Sequence, residues 1–213
     1  MRITNFMLPT AQECAMFYPT VRANANRHLV AADTLASIGD YGNAIAHRIL
    51  GSEEMVKALV LFLEGKGMNL RSIEAIKPLF RYHVPRHKLF KTLFSALHTL
   101  YSISAATKLS YGKALATLFR GGLESYYNSK WWENAERYKQ NAFYADHQGS
   151  FIDPGKLTKE QYQTAYTYTR TVNERMSDVI TYVSKMDEQE LSWFKESFHI
   201  AEFQELLKET TKK

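Results

Sequence analysis

The sequence contains few of the residues that interrupt helices. Only 10 Gly and 5 Pro occur in 213 residues, and the span from Arg86 to Asp153 has no Pro at all. Long periodic runs with so few breakers are typical of helical proteins. Glycine-rich phosphate loops, paired-cysteine metal motifs and serine-elbow motifs are also absent from the sequence. The sequence therefore predicts an all-α protein and excludes those common kinds of enzyme site.

Two further absences bear on where the protein works. The single cysteine, Cys14, cannot form an intramolecular disulfide, which fits a reducing cytoplasm. The first ten residues lack the apolar run of a signal peptide, and no 18-residue span is both apolar and uncharged. We therefore expect a soluble cytoplasmic protein with no membrane partner.

The composition that is present is that of an ordinary globular domain. Hydrophobic residues make up 45% of the chain and charged residues 23%, and one domain is the default at this length. The excess of 27 Lys and Arg over 22 Asp and Glu gives a net charge of +5. This charge is a mild indication of a polyanionic partner such as RNA. A basic surface without such a partner is an equally good interpretation of the charge alone.

Residues 39–65 are predicted to form the central helix of the domain. Wound at about 100° per residue, this stretch is apolar around most of its circumference, and such a helix belongs in the middle of a domain. Asp40 is a suitable N-cap, and Gly65 is a suitable terminator. Carboxylates on a buried helix are paired, are hydrogen-bonded or face a wet cleft. The remaining sector carries polar side chains, namely Asn43, His47, Glu53, Glu54, Lys57 and Glu64.

Other helices are predicted on either side of this one. A preceding helix runs from Pro19 to Gly39, with Pro19 at its first position. Because only about three residues link it to the central helix, the two should pack as an antiparallel hairpin. Further helices are predicted within residues 69–80, after Pro85 and after Ser110.

We expect residues 1–213 to form one all-helical domain. The core bundle is predicted at about residues 19–145, residues 146–157 are predicted to be a loop, and residues 158–208 are predicted to add C-terminal helices. In a capping box, two residues three positions apart each accept a hydrogen bond from the other's backbone N–H through their side chains. Such boxes indicate where these last helices begin. The two boxes are Thr158 with Gln161 and Asp187 with Glu190.

The most unusual local sequence is the basic junction, residues 81–88, where a predicted helix begins. Positive side chains at a helix N-terminus cost about 0.3–1 kcal/mol each unless an anion offsets them. The free backbone N–H groups there favour a phosphate. The junction is therefore either a phosphate or RNA site, or an internal ion-pair network with Glu53, Glu54 or Glu64. Its basic residues and histidines are Arg81, His83, Arg86, His87 and Lys88.

Arg81 and His87 are separated by five residues, and so are Arg22 and His28. The context of a loop-to-helix junction favours the first pair. Arg with His suits metal-independent RNA cleavage, because His moves a proton near neutral pH. Arg stabilises the charged phosphorus transition state, and a nearby Glu can orient the His.

For several other residues, a structural role is a better interpretation than a functional one. His47 and His98 are predicted to be core or interface residues, and His28 and His199 to be surface residues. The pair Trp131–Trp132 is predicted to lie in the core or in a dimer interface rather than to stack on bases. A metal site is the weaker alternative in the predicted loop, from Asp146, His147 and Asp153.

A series of short motifs occurs in a fixed order between residues 24 and 154. An A-x-x-L-x-x-x-G-x-Y-x-x-A run leads into EE-x-x-K-A, and a Phe/His/Lys cluster and a KQ…YxD…P segment follow. In these features the chain resembles the AbiV family of abortive-infection proteins, which are HEPN-like helical domains. Asn141 departs from the family, which would carry a basic residue there. The matching positions are Ala32, Leu35, Gly39, Tyr41, Ala44, Glu53, Glu54, Lys57, Ala58, Phe80, His83, His87, Lys88, Lys139, Gln140, Tyr144, Asp146 and Pro154.

The resemblance implies a bacterial anti-phage protein that halts phage growth by blocking protein synthesis. HEPN domains are commonly homodimers in which the Arg/His sites of two protomers meet in a cleft. Many are RNases that act without metal, whereas others only bind. We therefore expect a HEPN-like bundle, a homodimer, RNA and a phage protein as partners, and neither metal nor cofactor.

The leading interpretation is a metal-independent endoribonuclease. Arg81 and His87 are predicted to stabilise the phosphate and to transfer the proton, with His83 as the alternate histidine. Glu53 and Glu54 would orient the basic groups. The phosphate path would carry three further cations, Lys57, Arg86 and Lys88. The alternative is a non-catalytic helical protein that binds a phage or translation component.

Overall fold

The structure is a computed structural model that describes residues 9–72, 130–147 and 151–198. It is all-α, as predicted, apart from one minimal pair of strands. Residues 130–132 are also helical, and 3₁₀ turns lie at Leu70–Ser72 and Pro154–Lys156. The α-helices with defined bounds are α1 (Ala11–Ser37), α2 (Tyr41–Gly65), α3 (Ala135–Phe143), α4 (Lys159–Ser184) and α5 (Glu188–Phe198).

Helix α1 begins earlier than predicted. Thr10 and Glu13 form a capping box in which each side chain binds the other's backbone N–H, and this box starts the helix at Ala11. Pro19 therefore lies inside α1 and not at its first position, so the predicted start was wrong. The T-x-x-E signal was present in the sequence, and it outweighs the preference of Pro for a first turn.

Helices α1 and α2 form the predicted antiparallel hairpin. Gly39 adopts a φ of 84° in the link, a conformation that favours glycine. Asp40 then caps α2, since its carboxylate accepts from the backbone N–H of Asn43 at 3.2 Å. One face of α1 packs into the core, where Val21, Ala25 and Ala32 are buried.

Helix α2 is the central helix, as the apolar circumference of its sequence predicts. Of its 25 residues, 18 are buried. Helices α1, α3 and α4 all pack against it. Helix α4 contributes an amphipathic stripe with the period of a helix. The buried residues of α4 are Tyr162, Ala165, Thr169, Val172, Asn173, Met176, Ile180 and Val183.

The C-terminal region is helical where the capping boxes predict helices. The Thr158 and Gln161 box starts α4, and reciprocal bonds between Asp187 and Glu190 precede the body of α5. The helix predicted after Ser110 is interrupted in its described part by a turn at residues 133–134, before α3.

The predicted loop at residues 146–157 has more structure than expected. Strand β1 (Asp146–His147) pairs antiparallel with β2 (Phe151–Ile152), and a 3₁₀ turn follows at Pro154–Lys156. The carboxylate of Asp153 accepts from the backbone N–H of Gly155 at 3.0 Å and so caps that turn.

The helices predicted after Pro85 and within most of residues 69–80 lie outside the described residues. The single-domain boundary at residues 1–213 therefore stays a prediction. In the part of the chain that the structure describes, no helix combines the length and the hydropathy that a membrane crossing requires.

Candidate functional site

Glu53 lies on α2 against α3. The residue is 4% exposed, and its Oε1 accepts a hydrogen bond from Nζ of Lys139 at 2.8 Å. Lys139 also pairs with Glu136 of α3 at 2.8 Å. Burial acts to lower the pKa of Lys139, but the hydrogen bonds and charges of Glu136 and Glu53 outweigh it and raise the pKa. A charged ammonium group therefore lies between two carboxylates at neutral pH.

Glu54, the adjacent carboxylate, faces a different helix. Its side chain is half-buried, and its Oε2 accepts from Nδ2 of Asn24 on α1 at 3.3 Å. Lys57, one turn later on α2, is also half-buried. The predicted carboxylate pair is thus placed inside the bundle, with Glu53 directed to α3 and Glu54 to α1.

The remaining predicted site residues belong to the basic junction. Arg81, His83, Arg86, His87 and Lys88 lie outside the described residues, so their roles stay predictions. The predicted approach of Glu53 or Glu54 to these side chains stays a prediction for the same reason.

The second R-x5-H pattern, Arg22 with His28, does not form a local site. Positions six apart on a continuous helix differ by about 240° around the axis and by about 9 Å along it. Arg22 instead donates to the Tyr18 hydroxyl at 3.3 Å. The two side chains therefore point in different directions from α1.

His28 and His47 form a pair that the sequence analysis did not predict. Their Nδ1 atoms are 3.1 Å apart, and the Phe143 ring packs edge-on against His47. Burial lowers the pKa of His47, the charge of His28 lowers it further, and Asp40 acts in the opposite direction. One imidazole must donate and the other accept, so the pair is stable when at least one ring is neutral. The predicted hairpin could have indicated this pair, because it brings residues before Gly39 in the sequence close to residues after it.

Arg48 forms a second cluster that was not among the predicted site residues. The residue is 5% exposed, and its Nη2 contacts Oδ1 of Asp33 and the Tyr162 hydroxyl. The hydroxyl of Tyr162 donates to Asp33 at 2.9 Å, and the guanidinium lies 4.3 Å from the centroid of the Tyr166 ring. Burial raises the pKa of the Tyr162 hydroxyl, which stays protonated at neutral pH. A charged residue on the apolar side of α2 was the signal for this cluster.

The two tryptophans belong to the core. Trp132 is 1% exposed, and Trp131 stacks on Tyr168 at a centroid distance of 5.2 Å. The prediction of a structural role is confirmed, since neither ring is available as a stacking platform for bases.

Asp153, one member of the weaker metal alternative, caps a 3₁₀ turn, as described above. The side chains of Asp146 and His147 lie outside what the structure describes, so this alternative stays a prediction. Within residues 9–72, 130–147 and 151–198, no group of three or more His, Cys, Asp or Glu residues is arranged to hold a metal ion.

Comparison with known proteins gives one family match. The family model described as HEPN_AbiV, AbiV, matches residues 13–176, which is more than half of the chain. The match covers α2 and α3 and most of α1 and α4. Neither the curated proteins nor the solved structures give a match.

Proposed function

Because this chain belongs to the AbiV family of HEPN-like helical proteins, we propose that it is a metal-independent endoribonuclease that shuts down translation during abortive infection. Anti-phage defence is the role that this family assignment supports. The observation that carries the proposal is the family match over residues 13–176, which spans both the carboxylates of α2 and the basic junction.

The chemistry assigns one task to each kind of side chain. His87, or His83 in its place, would transfer the proton at the 2′-hydroxyl or at the leaving oxygen. Arg81 would stabilise the charged phosphorus transition state. A buried Glu53 held by Lys139 is a fixed carboxylate, and a fixed carboxylate suits the task of orienting a histidine. RNA is the substrate of this proposal, and a phage protein is its trigger or target.

Expression in a bacterial host, with and without phage infection, tests the nuclease. We expect the wild-type protein to arrest growth and to fragment RNA, and His83→Ala or His87→Ala to abolish fragmentation. His199→Ala, which changes a histidine outside the basic junction, is the matched control and should leave fragmentation intact. A wild-type protein that cleaves no RNA, whether or not phage is present, would end the nuclease proposal.

A second candidate function is non-catalytic binding to a phage or translation component. The contacts of Glu53 with Lys139 and of Glu54 with Asn24 favour it, because both carboxylates join helices to each other. In this case the basic junction completes an internal network, and His87→Ala should lower the melting temperature together with the defence activity. Loss of activity at an unchanged melting temperature would instead favour the catalytic site.

A further inference from the structure

The histidine pair lies outside the residues of the proposed ribonuclease, and its two rings face each other across the hairpin. His28 of α1 and His47 of α2 are both half-buried, so each ring is in reach of solvent. Their Nδ1 atoms are 3.1 Å apart, whereas the ring centroids are 5.2 Å apart. Because the nitrogens are closer together than the centroids, both Nδ1 atoms are directed inward. Two imidazole nitrogens from two different helices thus converge on one place.

The spacing of the two nitrogen atoms suits a metal ion held by both. Imidazole is a preferred ligand of zinc and copper. Two Zn–N bonds of about 2.0–2.1 Å at a tetrahedral angle place their nitrogens about 3.3–3.4 Å apart. Bonds of the same length at a right angle, as in square-planar copper, place them about 2.8–3.0 Å apart. The observed 3.1 Å lies between these values, so small rotations of the two rings reach either geometry.

Protons and charges at the pair are compatible with a bound cation. Without metal, one Nδ1–H donates to the other Nδ1. Moving that proton to Nε2 of its own ring leaves a lone pair on each Nδ1, and no net proton is released. Burial and His28 lower the pKa of His47, whereas the Asp40 carboxylate acts to raise it. Asp40 is therefore near enough to favour a positive charge at this ring.

We propose that His28 and His47 together bind a divalent transition-metal ion of the zinc and copper class through their Nδ1 atoms. In the part of the chain that the structure describes, no third His, Cys, Asp or Glu joins them, so water fills the other positions of the ion. The ion links α1 to α2. This proposal departs from the expectation of no metal that the family resemblance gave. The ion takes no part in the proposed RNA cleavage, so the site stands whether or not the ribonuclease does.

Calorimetric titration of the untagged full chain with Zn²⁺, after treatment with a chelator, tests the proposal at about pH 7.5, where imidazole is neutral. One ion per chain should bind saturably. His28→Gln and His47→Gln each remove one ligand and should each weaken this binding about tenfold or more. His199→Ala changes a histidine elsewhere in the chain and is the control, which should bind like the wild type. Zn²⁺ should also raise the melting temperature of the wild type and of the control, but not of the two glutamine variants.

Cu²⁺ in place of Zn²⁺ allows the ligands to be counted in the wild-type protein. Its electron paramagnetic resonance spectrum should show coupling to two imidazole nitrogens. The proposal fails if neither ion binds at submillimolar concentration, which would assign the pair to a hydrogen bond alone. It also fails if both glutamine variants bind Zn²⁺ like the wild type, or if the Cu²⁺ spectrum shows fewer than two nitrogens. Should one variant fail to fold, the other variant and the Cu²⁺ spectrum carry the test.

Discussion

A buried carboxylate is stable in a folded protein only while a partner offsets its charge, and Glu53 has Lys139 as such a partner. Lys139→Met keeps the aliphatic stem but removes the ammonium group. We expect the free energy of unfolding to fall by about 3 kcal/mol, because breaking a buried pair leaves a poorly compensated charge. Denaturant unfolding, with unchanged slope, measures this loss.

Glu136→Gln is the matched control for that change. Glu136 also pairs with Lys139, but its side chain is 41% exposed, so its removal should lower stability by less than about 1 kcal/mol. The double variant Glu53→Gln, Lys139→Met should recover part of the loss, since it removes both charges. Equal effects of Lys139→Met and Glu136→Gln would contradict the dependence of Glu53 on Lys139.

The histidine pair predicts a pH dependence near neutrality. The pKa of His47 is lowered in the folded protein from the ordinary value of 6.5. At a pH between the pKa of His47 in the folded protein and its ordinary value of 6.5, the unfolded chain binds more protons than the folded protein. The stability that a neutral His47 contributes is therefore lost as the pH falls below 6.5. We expect the melting temperature to fall between about pH 7.5 and pH 5.5, and to fall less in His47→Gln. If the melting temperature of the wild type depends on pH in the same way as that of His47→Gln, the predicted contribution of His47 is wrong.

At the scale of the secondary-structure elements, the packing of α1 on α2 depends on a close approach of their backbones. A Cβ built on Gly65 would lie 2.8 Å from Cα of Ala15 and 2.9 Å from its backbone N. Gly65→Ala should therefore destabilise the protein by about 1–3 kcal/mol, although alanine is the better helix former. Thermal unfolding measures this effect.

Gly51→Ala is the comparison for Gly65→Ala on the same helix. Its Cβ would lie 2.8 Å from Cδ2 of Leu29, a half-buried side chain that can move, and 3.1 Å from the backbone O of Ala25, a less severe backbone contact than at Gly65. We expect a smaller loss than at Gly65. An equal or greater loss at Gly51 would contradict the greater cost of the backbone contact at Gly65.

The elements that the sequence predicted well are those with local signals. The caps at Asp40 and Thr158, and the apolar circumference of α2, depend on residues a few positions apart. The predicted start of α1 at Pro19 was wrong because the capping box of Thr10 and Glu13 begins the helix eight residues earlier, at Ala11.

The candidate sites were predicted only in part, because their partners are distant in the chain. Periodicity placed Glu53 in the polar sector of a mostly apolar helix and left open whether it is paired or faces a wet cleft. Its partner Lys139 lies 86 residues away from it. Asp33 and Tyr162 are separated by 129 residues, and no local pattern relates them. Periodicity indicates which face of a helix is buried, but the contacts across that face depend on how the whole bundle packs.

At the scale of the whole molecule, the family resemblance predicts a homodimer, and mass action offers a test. If folding and association are coupled, the melting temperature should rise with protein concentration. Light scattering should give about twice the 24.6 kDa mass of one chain. A single-chain mass at every concentration, with a constant melting temperature, would contradict the dimer and the shared cleft.

The central position of α2 has a consequence for synthesis on the ribosome. Its partner α1 precedes it, but α3 begins roughly 70 residues after α2 ends, and α4 follows later. Synthesis runs at about 5–20 residues per second, so α3 and α4 are complete only roughly 6–24 s after α2, and until then the surface of α2 that they cover lacks them. During that interval a nascent chain carries a half-covered apolar helix, a target for chaperones and for aggregation. The helix against which α1, α3 and α4 pack in the finished protein therefore needs protection while the protein is being made.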